Sequence, residues 1–287
     1  MWKKSITCCE AAVQYTVAHP SFGEFFVGLL PIETCVYDNG NPANRIQVFE
    51  RGDRLELRFG NSIVQSAKST RAPDFLVLEY TRALLTSMLF VPDDAGILHI
   101  GLGAGTIPDF IHRHFPRVRQ RVVDVSPEVI SIALTHFDLP RSPRLQVIND
   151  DGLHYLRHTQ DRFDMIVFDA FHANGAAPDM TTASAFQAAM ERLNPGGWLV
   201  NNAWGSDAAL LREILTALRE RFREVHSLSV RLNSNVILIA GSPPTPTRLA
   251  DLRRRAATLS ATMPLDFDPW LRQLASGSQG RPTLVVG

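Results

Sequence analysis

An apolar run, a glycine-rich turn and a helix-like segment follow one another at residues 97–106, and this stretch constrains the fold most. It reads ILHIGLGAGT, with glycines at positions 101, 103 and 105. Glycine permits positive φ and lets the backbone approach a ligand closely, and the N–H groups at a helix N-terminus then face that ligand. The motif therefore predicts a nucleotide site formed by Gly101, Gly103 and Gly105. A glycine-rich loop alone is weak evidence, because such turns also occur without a ligand.

Strand and helix patterns alternate from residue 96 onward. Alternation of this kind is typical of a mostly parallel sheet with helices on both faces. The predicted strands are Ile97–Ile100, Arg121–Val125, Leu145–Ile148, Met165–Phe168 and Trp198–Asn201. The predicted helices are Ile107–His114, Pro127–Phe137, Leu153–His158 and Ala183–Leu193. Near the end, Ser227–Leu232, a turn at Asn233-Ser234 and Val236–Ala240 indicate a hairpin. An α/β, doubly wound sheet that ends in an antiparallel hairpin favours the Rossmann-like class I methyltransferase fold over a dehydrogenase.

The first 90 residues follow a different pattern. Ile46–Glu50 and Arg54–Phe59 alternate around Arg51-Gly52-Asp53, which predicts a β-hairpin in a small N-terminal β-domain. A helix is expected to begin near Asp74 and to carry Leu76, Tyr80, Leu84 and Leu85 on one face. We therefore expect an N-terminal region at 1–90, a nucleotide-binding catalytic domain at 91–243, and a helical extension at 244–287 that contains Arg248–Leu259 and Phe267–Leu274.

Acidic residues follow three of the predicted strands. Asp124 lies 23 positions after Gly101, near the spacing of about 20 expected for an acid that binds ribose hydroxyls. Asp151 is followed by Gly152 and is placed to accept from an adenine amino group, although an acid here also caps a helix. Asp169 follows Met165–Phe168 directly, so it either accepts a proton from a substrate or binds the next loop.

Composition excludes several classes of function. Lys+Arg 29 equals Asp+Glu 29, whereas nucleic-acid-binding proteins normally carry a basic excess. The three cysteines and the histidines have no metal-ligand spacing, and His112, His114, His154 and His158 are expected at surface positions. No apolar run approaches the 18 or so residues of a membrane span. We expect a soluble cytoplasmic protein with no metal, nucleic-acid or membrane partner.

Taken together, these residues resemble the spermidine synthase (polyamine aminopropyltransferase) family, in particular its divergent spermidine-synthase-like branch. The resemblance covers roughly Asn44 to Ala240. Its most specific part is the β-hairpin followed by GNSIVQ at 60–65 and the helix containing Glu79-Tyr80-Thr81-Arg82, because plain methyltransferases lack that combination. The resemblance implies that an amine attacks the carbon beside the sulfonium of decarboxylated S-adenosylmethionine and releases methylthioadenosine.

The same resemblance implies roles for individual residues. Asp169 matches the first acid of the family's Asp-Ser-x-Asp motif, which acts as the base. Asp124 matches the ribose acid, Asp151-Gly152 matches the adenine pair, and Asn44 lies where a nucleotide-contacting Gln is usual. Gln65, His172 and Trp204 are candidate substrate-binding residues; His172 is alternatively a solvent-exposed loop histidine, and Trp204 alternatively a cover over the sheet edge.

The chain departs from the family pattern at three places. His172 replaces the second acid of the motif, Ala104 replaces the acid usual inside the glycine loop, and Val77-Leu78 replaces a Tyr-Gln or Tyr-His pair. Because Ala104 carries no acid, the glycine loop would also repel the carboxylate of full S-adenosylmethionine less. The donor therefore remains open between the full and the decarboxylated form.

Three functions are consistent with this sequence. The leading interpretation is a transferase that moves an aminopropyl-type group to a small-molecule amine. The alternatives are an S-adenosylmethionine-dependent methyltransferase or another enzyme that consumes this donor, and a non-catalytic protein that binds methylthioadenosine or S-adenosylmethionine. We expect a homodimer for two reasons. Residues 25–30 are largely apolar, and members of the resembled family commonly pair through the N-terminal region.

Overall fold

The computed structural model describes residues 32–60, 63–172, 175–230 and 235–277, with the backbone alone at positions 63, 172, 175, 176, 178 and 277. Its strands are β1 (Glu33–Asp38), β2 (Ile46–Arg51), β3 (Arg54–Phe59), β4 (Ile63–Ser69), β5 (Gly96–Ile100), β6 (Arg119–Asp124), β7 (Leu145–Asn149), β8 (Phe163–Phe168), β9 (Phe171–His172), β10 (Gly175–Ala176), β11 (Leu193–Trp204), β12 (Glu224–Ser229) and β13 (Asn235–Gly241).

The α-helices are α1 (Glu79–Leu85), α2 (Thr106–His114), α3 (Pro127–Thr135), α4 (Gly152–His158), α5 (Ala183–Arg192), α6 (Ala208–Arg219), α7 (Leu249–Ser260) and α8 (Asp268–Gly277), and short 3₁₀ helices occupy Thr86–Phe90 and Pro178–Thr181. In the described part of the chain, no helix is long and apolar enough to cross a membrane.

The large sheet has the order β12-β13-β11-β8-β5-β6-β7. Strands β7, β6, β5, β8 and β11 are parallel, whereas β13 runs antiparallel to both β11 and β12. This confirms the predicted fold class, including the closing hairpin. Since β6 and β7 lie on one side of β5 while β8 lies on the other, the order reverses beside β5. The carboxyl ends of β5 and β8 therefore open the crevice in which α/β proteins bind ligands.

Helices cover both faces of this sheet. On one face, residues of α1, α2, α7 and α8 pack against apolar positions such as Met165, Val167 and Val200. On the other face, α5 and α6 pack against Leu98, Ile166 and Leu199. The two C-terminal helices contribute buried side chains to the core, including Trp270.

The N-terminal sheet is antiparallel in the order β1-β2-β3-β4, and it contains the predicted hairpin with Arg51 paired to Arg54. Its inner face buries Ile46, Val48 and Leu57 together with Ala104 and residues of α3. The small sheet therefore lies directly over the glycine loop.

Several sequence expectations are corrected. Helix α1 begins at Glu79 and not near Asp74, because the Asp74 carboxylate binds Arg113 and His114 of α2. His114 is consequently not a surface residue, and it also packs on Phe110 with ring centroids 4.3 Å apart. Strand β12 starts three residues before the predicted Ser227, and β1 and α6 were not predicted. The turn predicted at 233–234 and the apolar segment 25–30 lie outside the described residues.

Candidate active site

A cavity of about 280 Å³ lies at the carboxyl edge of the large sheet, beneath the N-terminal sheet. That volume is near the lower end of small-molecule sites, about 300 Å³. Predicted site residues that line it are Asn44, Gln65, Gly101, Gly103, Asp124, Asp151, Gly152 and Asp169. Gly105 and Trp204 do not line it, and for His172 the structure describes only the backbone.

Gly101 sits where the glycine loop touches the end of β8. Its φ is +99°, and a Cβ at this position would lie 2.3 Å from the backbone oxygen of Asp169. Any side chain would therefore push the loop away from the strand end that carries Asp169. Gly105 instead forms the N-cap of α2 and packs on Leu139, so its contribution is to the turn and not to the cavity wall.

The N-terminal sheet holds the glycine loop from above. The Ser66 hydroxyl accepts a hydrogen bond from the Ala104 N–H at 3.1 Å. Further along, Tyr37 donates to Glu128 at 2.7 Å, which attaches β1 to the first turn of α3. The roof of the cavity is therefore tied both to the glycine loop and to the helix that follows Asp124.

The Asp124 carboxylate joins two of the loops that surround the cavity. One oxygen accepts from the Leu102 N–H at 2.8 Å, and the other accepts from the Ser126 N–H at 2.9 Å. A carboxylate oxygen can accept more than one hydrogen bond. Asp124 is therefore able to hold the glycine loop and to accept from ligand hydroxyls at the same time.

Asp151 and Gly152 form the next corner of the cavity. Asp151 caps α4 by accepting from the His154 N–H at 2.8 Å, as the structural alternative predicted. A Cβ on Gly152 would lie 2.2 Å from the Cγ2 of Ile100 in β5. The pair thus serves the helix start and the close packing of α4 on β5, while both residues still face the cavity.

Asp169 is held firmly at the mouth of β8. Its N–H donates to the Ile100 carbonyl at 2.9 Å, and its Oδ1 accepts from the side-chain amide of Asn202 at 2.7 Å. Part of its surface faces the cavity, but the group lies deep in the molecule. Burial raises the pKa of Asp169 to about 7, and the hydrogen bond from Asn202 acts in the opposite direction.

Two further titratable side chains face the same cavity and were not predicted as site residues. The buried Tyr80 of α1 donates to the Gln65 carbonyl at 3.3 Å; burial, together with the nearby Asp169 carboxylate, raises its pKa. His99 of β5 lies 3.1 Å from the Oε1 of Gln120, and burial lowers its pKa to about 4. Both side chains are therefore neutral at pH 7.

The outer wall comes from the segment after β8. Strands β9 and β10 pair through His172 and Gly175, and the following 3₁₀ helix places Asp179 and Met180 on the cavity. The Phe171 ring lines the cavity and lies 6.3 Å from the Trp204 ring. Trp204 therefore supports the wall from behind. We call the described residues of this segment, 170–172 and 175–182, the outer wall.

The electrostatics of the cavity are one-sided. Among the described residues that line it, four are carboxylic acids (Asp124, Asp151, Asp169 and Asp179) and none is a lysine or arginine. Such a lining attracts cations and offers no partner to an anion. In the part of the chain that the structure describes, no three His, Cys, Asp or Glu side chains converge as a metal site would require.

Sequence reasoning missed Ser66, Tyr80, His99, Asn202 and Asp179. One of them left a readable signal, because Asn201-Asn202 interrupts an otherwise apolar strand. Ser66, Tyr80, His99 and Asp179 left no such signal, because they become site residues only where segments far apart in the chain pack together.

Comparison with known proteins adds independent findings. Residues 80–240 match the family model described as the spermine/spermidine synthase domain. A polyamine aminopropyltransferase of Neisseria meningitidis is 31% identical over 238 residues, covering 81% of this chain and 90% of the relative. An eEF1A lysine and N-terminal methyltransferase of Xenopus laevis is 27% identical but covers 57% of this chain and 26% of its own. A solved structure of a probable spermidine synthase from Corynebacterium glutamicum has a TM-score of 0.67 at 24% identity, covering 88% of this chain and 96% of that one.

Proposed function

The chain belongs to the spermine/spermidine synthase family, and on that premise we propose that it transfers an aminopropyl group from decarboxylated S-adenosylmethionine to a small-molecule amine. The amine nitrogen attacks the carbon beside the sulfonium, a new C–N bond forms, and the C–S bond breaks. Its electron pair returns to sulfur, which leaves as the thioether of methylthioadenosine. The proton lost by the amine passes to Asp169.

Residues around the cavity supply the donor's contacts in this proposal. Asp124 accepts from the ribose hydroxyls, Asp151 and Gly152 flank the adenine, and the loop of Gly101 and Gly103 lies along the nucleoside. Asn44 and Gln65 face the donor and acceptor from the roof. Gly105 acts indirectly, by shaping the turn.

The charge of the lining favours the decarboxylated donor. That molecule is a cation at both its sulfonium and its aminopropyl ammonium, whereas full S-adenosylmethionine adds a carboxylate. No described lining residue is a lysine or arginine that would pair with such a carboxylate. Like charges placed close together disfavour binding, so Asp169 and Asp179 act against the full donor even though Ala104 carries no acid.

The observation that carries the proposal is Asp169, which lies deep in the molecule beside the glycine loop with part of its surface facing the cavity. A general base works best when its pKa lies near the operating pH, and burial brings the pKa of Asp169 to about 7. Hydrogen bonds to Ile100 and from Asn202 fix Asp169 at the strand end, so that its carboxylate has one defined position at the cavity.

The acceptor's other charge needs a partner as well. His172 replaces the acid usual in the family, so we propose Asp179 as the carboxylate that binds a distal ammonium, with Phe171 as the apolar wall and Trp204 packed beside Phe171. His172 then adjusts which amine is accepted.

A methyltransferase is the second candidate, and the Xenopus laevis relative favours it. It is weaker, because that match covers 57% of the chain, whereas the aminopropyltransferase match covers 81%. A non-catalytic nucleotide-binding protein is the third. We further propose a cytoplasmic homodimer with domains at 1–90, 91–243 and 244–287.

Product analysis distinguishes these candidates. The protein is incubated with either donor and a pool of diamines and polyamines, and the products are identified by mass spectrometry. The proposal expects methylthioadenosine and an aminopropylated amine from the decarboxylated donor. S-adenosylhomocysteine from the full donor would establish the methyltransferase instead, and nucleotide binding without any product would establish the binding protein.

A further inference from the structure

Three polar side chains, those of Asp169, Asn202 and Asn235, lie in a row on one face of the large sheet. In the register of β8 and β11, Phe168 is paired with Asn201, so the next residues, Asp169 and Asn202, are neighbours. In β11 and β13, Asn235 is paired with Trp204, so Asn235 lies diagonally across from Asn202 on the same face. Neighbouring positions on this face include the buried apolar residues Val167, Val200 and Ile237.

Hydrogen bonds connect this row. The Nδ2 of Asn235 donates to the Oδ1 of Asn202 at 2.9 Å, and the Nδ2 of Asn202 donates to the Oδ1 of Asp169 at 2.7 Å. A side-chain amide has one donating end and one accepting end. When Asn235 occupies the accepting end of Asn202, the donating end must face Asp169. Asn202 is 3% exposed, so water does not compete for either end.

From this geometry we propose that Asn202 and Asn235 form a two-amide relay that aims the Asp169 carboxylate into the cavity and holds it in the form that accepts a proton. The inference rests on the proposed function, in which Asp169 is the base. Asn202 and Asn235 are positioning residues, since they act through Asp169.

The other titratable groups around Asp169 do not supply this donor. Those that share its cavity are Tyr80 from α1, His99 from β5, Asp124 after β6, Asp151 before α4 and Asp179 from the 3₁₀ helix. Tyr80 donates to the Gln65 carbonyl, His99 pairs with Gln120, and the remaining three are acids. The described lining contains no lysine or arginine, so the relay amide is the donor that favours a charged Asp169.

Direct titration of the Asp169 carboxyl tests the relay without requiring turnover. Infrared difference spectra follow the protonated carboxyl band as a function of pH, and the band is assigned by its loss in Asp169→Asn. A hydrogen bond to a charged group is strong enough to move a titration by about one pH unit or more. We expect Asn202→Leu to shift the midpoint upward by about that amount.

The matched control is Asn201→Leu. Asn201 is 2% exposed and lies on the same strand, but its side chain faces the opposite side of the sheet from Asp169. This control reproduces the loss of a buried amide, and we expect the midpoint of the native protein. A purely structural role for Asn202 would lower thermal stability in both variants and leave both midpoints unchanged.

Asn235→Asp is a second variant for the case in which Asn202→Leu does not fold, since residue 235 is only half-buried. An aspartate there accepts but does not donate, so the Asn202 amide turns its donating end away from Asp169. We expect an upward shift of the Asp169 midpoint, because the charged carboxylate loses its hydrogen-bond donor. A midpoint equal to that of the native protein in Asn235→Asp, or in a folded Asn202→Leu, overturns the relay. Failure to find any turnover overturns the proposed function and leaves the titration result standing.

Discussion

Asp169→Asn keeps the shape of the side chain and removes most of its basicity. Because a positioned base contributes about 10²–10⁴-fold, we expect kcat to fall by about that factor. Affinity for methylthioadenosine should change little, since the nucleoside contacts proposed for Asp124 and Asp151 are intact. The assay is methylthioadenosine formation followed by chromatography, with binding measured by calorimetry. Asp150→Asn is the matched control, because Asp150 lies beside Asp151 at the same sheet edge but does not line the cavity.

The pH dependence sharpens this prediction. With the pKa of Asp169 raised to about 7, the carboxylate is about one-tenth ionised at pH 6 and about nine-tenths ionised at pH 8. We therefore expect kcat/KM, which reports the free enzyme, to rise about tenfold across that interval. An aspartate at its ordinary value of 3.8 would be ionised throughout, and the rise would be absent.

Stability gives the same prediction a second readout. The folded-state pKa of Asp169 lies above its unfolded value, so the folded protein holds this proton more tightly. The stability that this provides is present below about pH 4 and is lost as pH rises toward 7. Asp169→Asn should therefore gain thermal stability over the native protein at pH 8 and lose that advantage at pH 4. A variant that retains its rate within threefold, or a flat pH profile in the native protein, refutes the role of Asp169.

Four further expectations follow from the site. Asp124→Ala removes the proposed acceptor of two ribose hydroxyls and should weaken methylthioadenosine binding about ten- to a hundred-fold, whereas unchanged affinity by calorimetry would contradict its role. Asp179→Asn should raise KM for a diamine by about tenfold with kcat nearly constant; an equal effect on a monoamine would argue against contact with the distal ammonium. His172→Asp restores the family's second acid and should favour diamines over monoamines in competition assays. Light scattering should find a dimer at micromolar concentration, and a 31.9 kDa species alone would contradict it.

Most of the fold could be predicted because its signals are local. Most strands of the parallel sheet contain an apolar run next to a turn, and several helices begin after a polar capping residue, as at Ser126 before α3 and Thr182 before α5. Helix α6 was not predicted, although the sequence contains two signals for it: the capping residue Asp207 and the helical spacing of Ile214 and Leu218. The start of α1 was not predictable in the same way, because the Asp74 carboxylate accepts a hydrogen bond from Arg113, which is 39 positions away in the chain.

The site residues likewise fall into those with a local sequence signal and those without one. The acids of the motif are found from sequence because each follows its own strand. Tyr80, Ser66 and Asn202 are not found, because their roles depend on contacts between elements that are far apart in the chain. Asn202, for example, is 33 positions from Asp169 and another 33 from Asn235, and only the strand order places the three in a row.

The cavity walls differ in how deeply they are built into the molecule. Gly101 cannot accept a Cβ without displacing the backbone at Asp169, so a substitution at this position also disturbs the proposed catalytic carboxylate. The described part of the outer wall is attached through a backbone hydrogen bond from Ala177 to Ala170 and through the buried Met180. Under the proposed function, we therefore expect substitutions in the outer wall to change which amine is accepted at a smaller structural cost than substitutions at Gly101 that would change the donor.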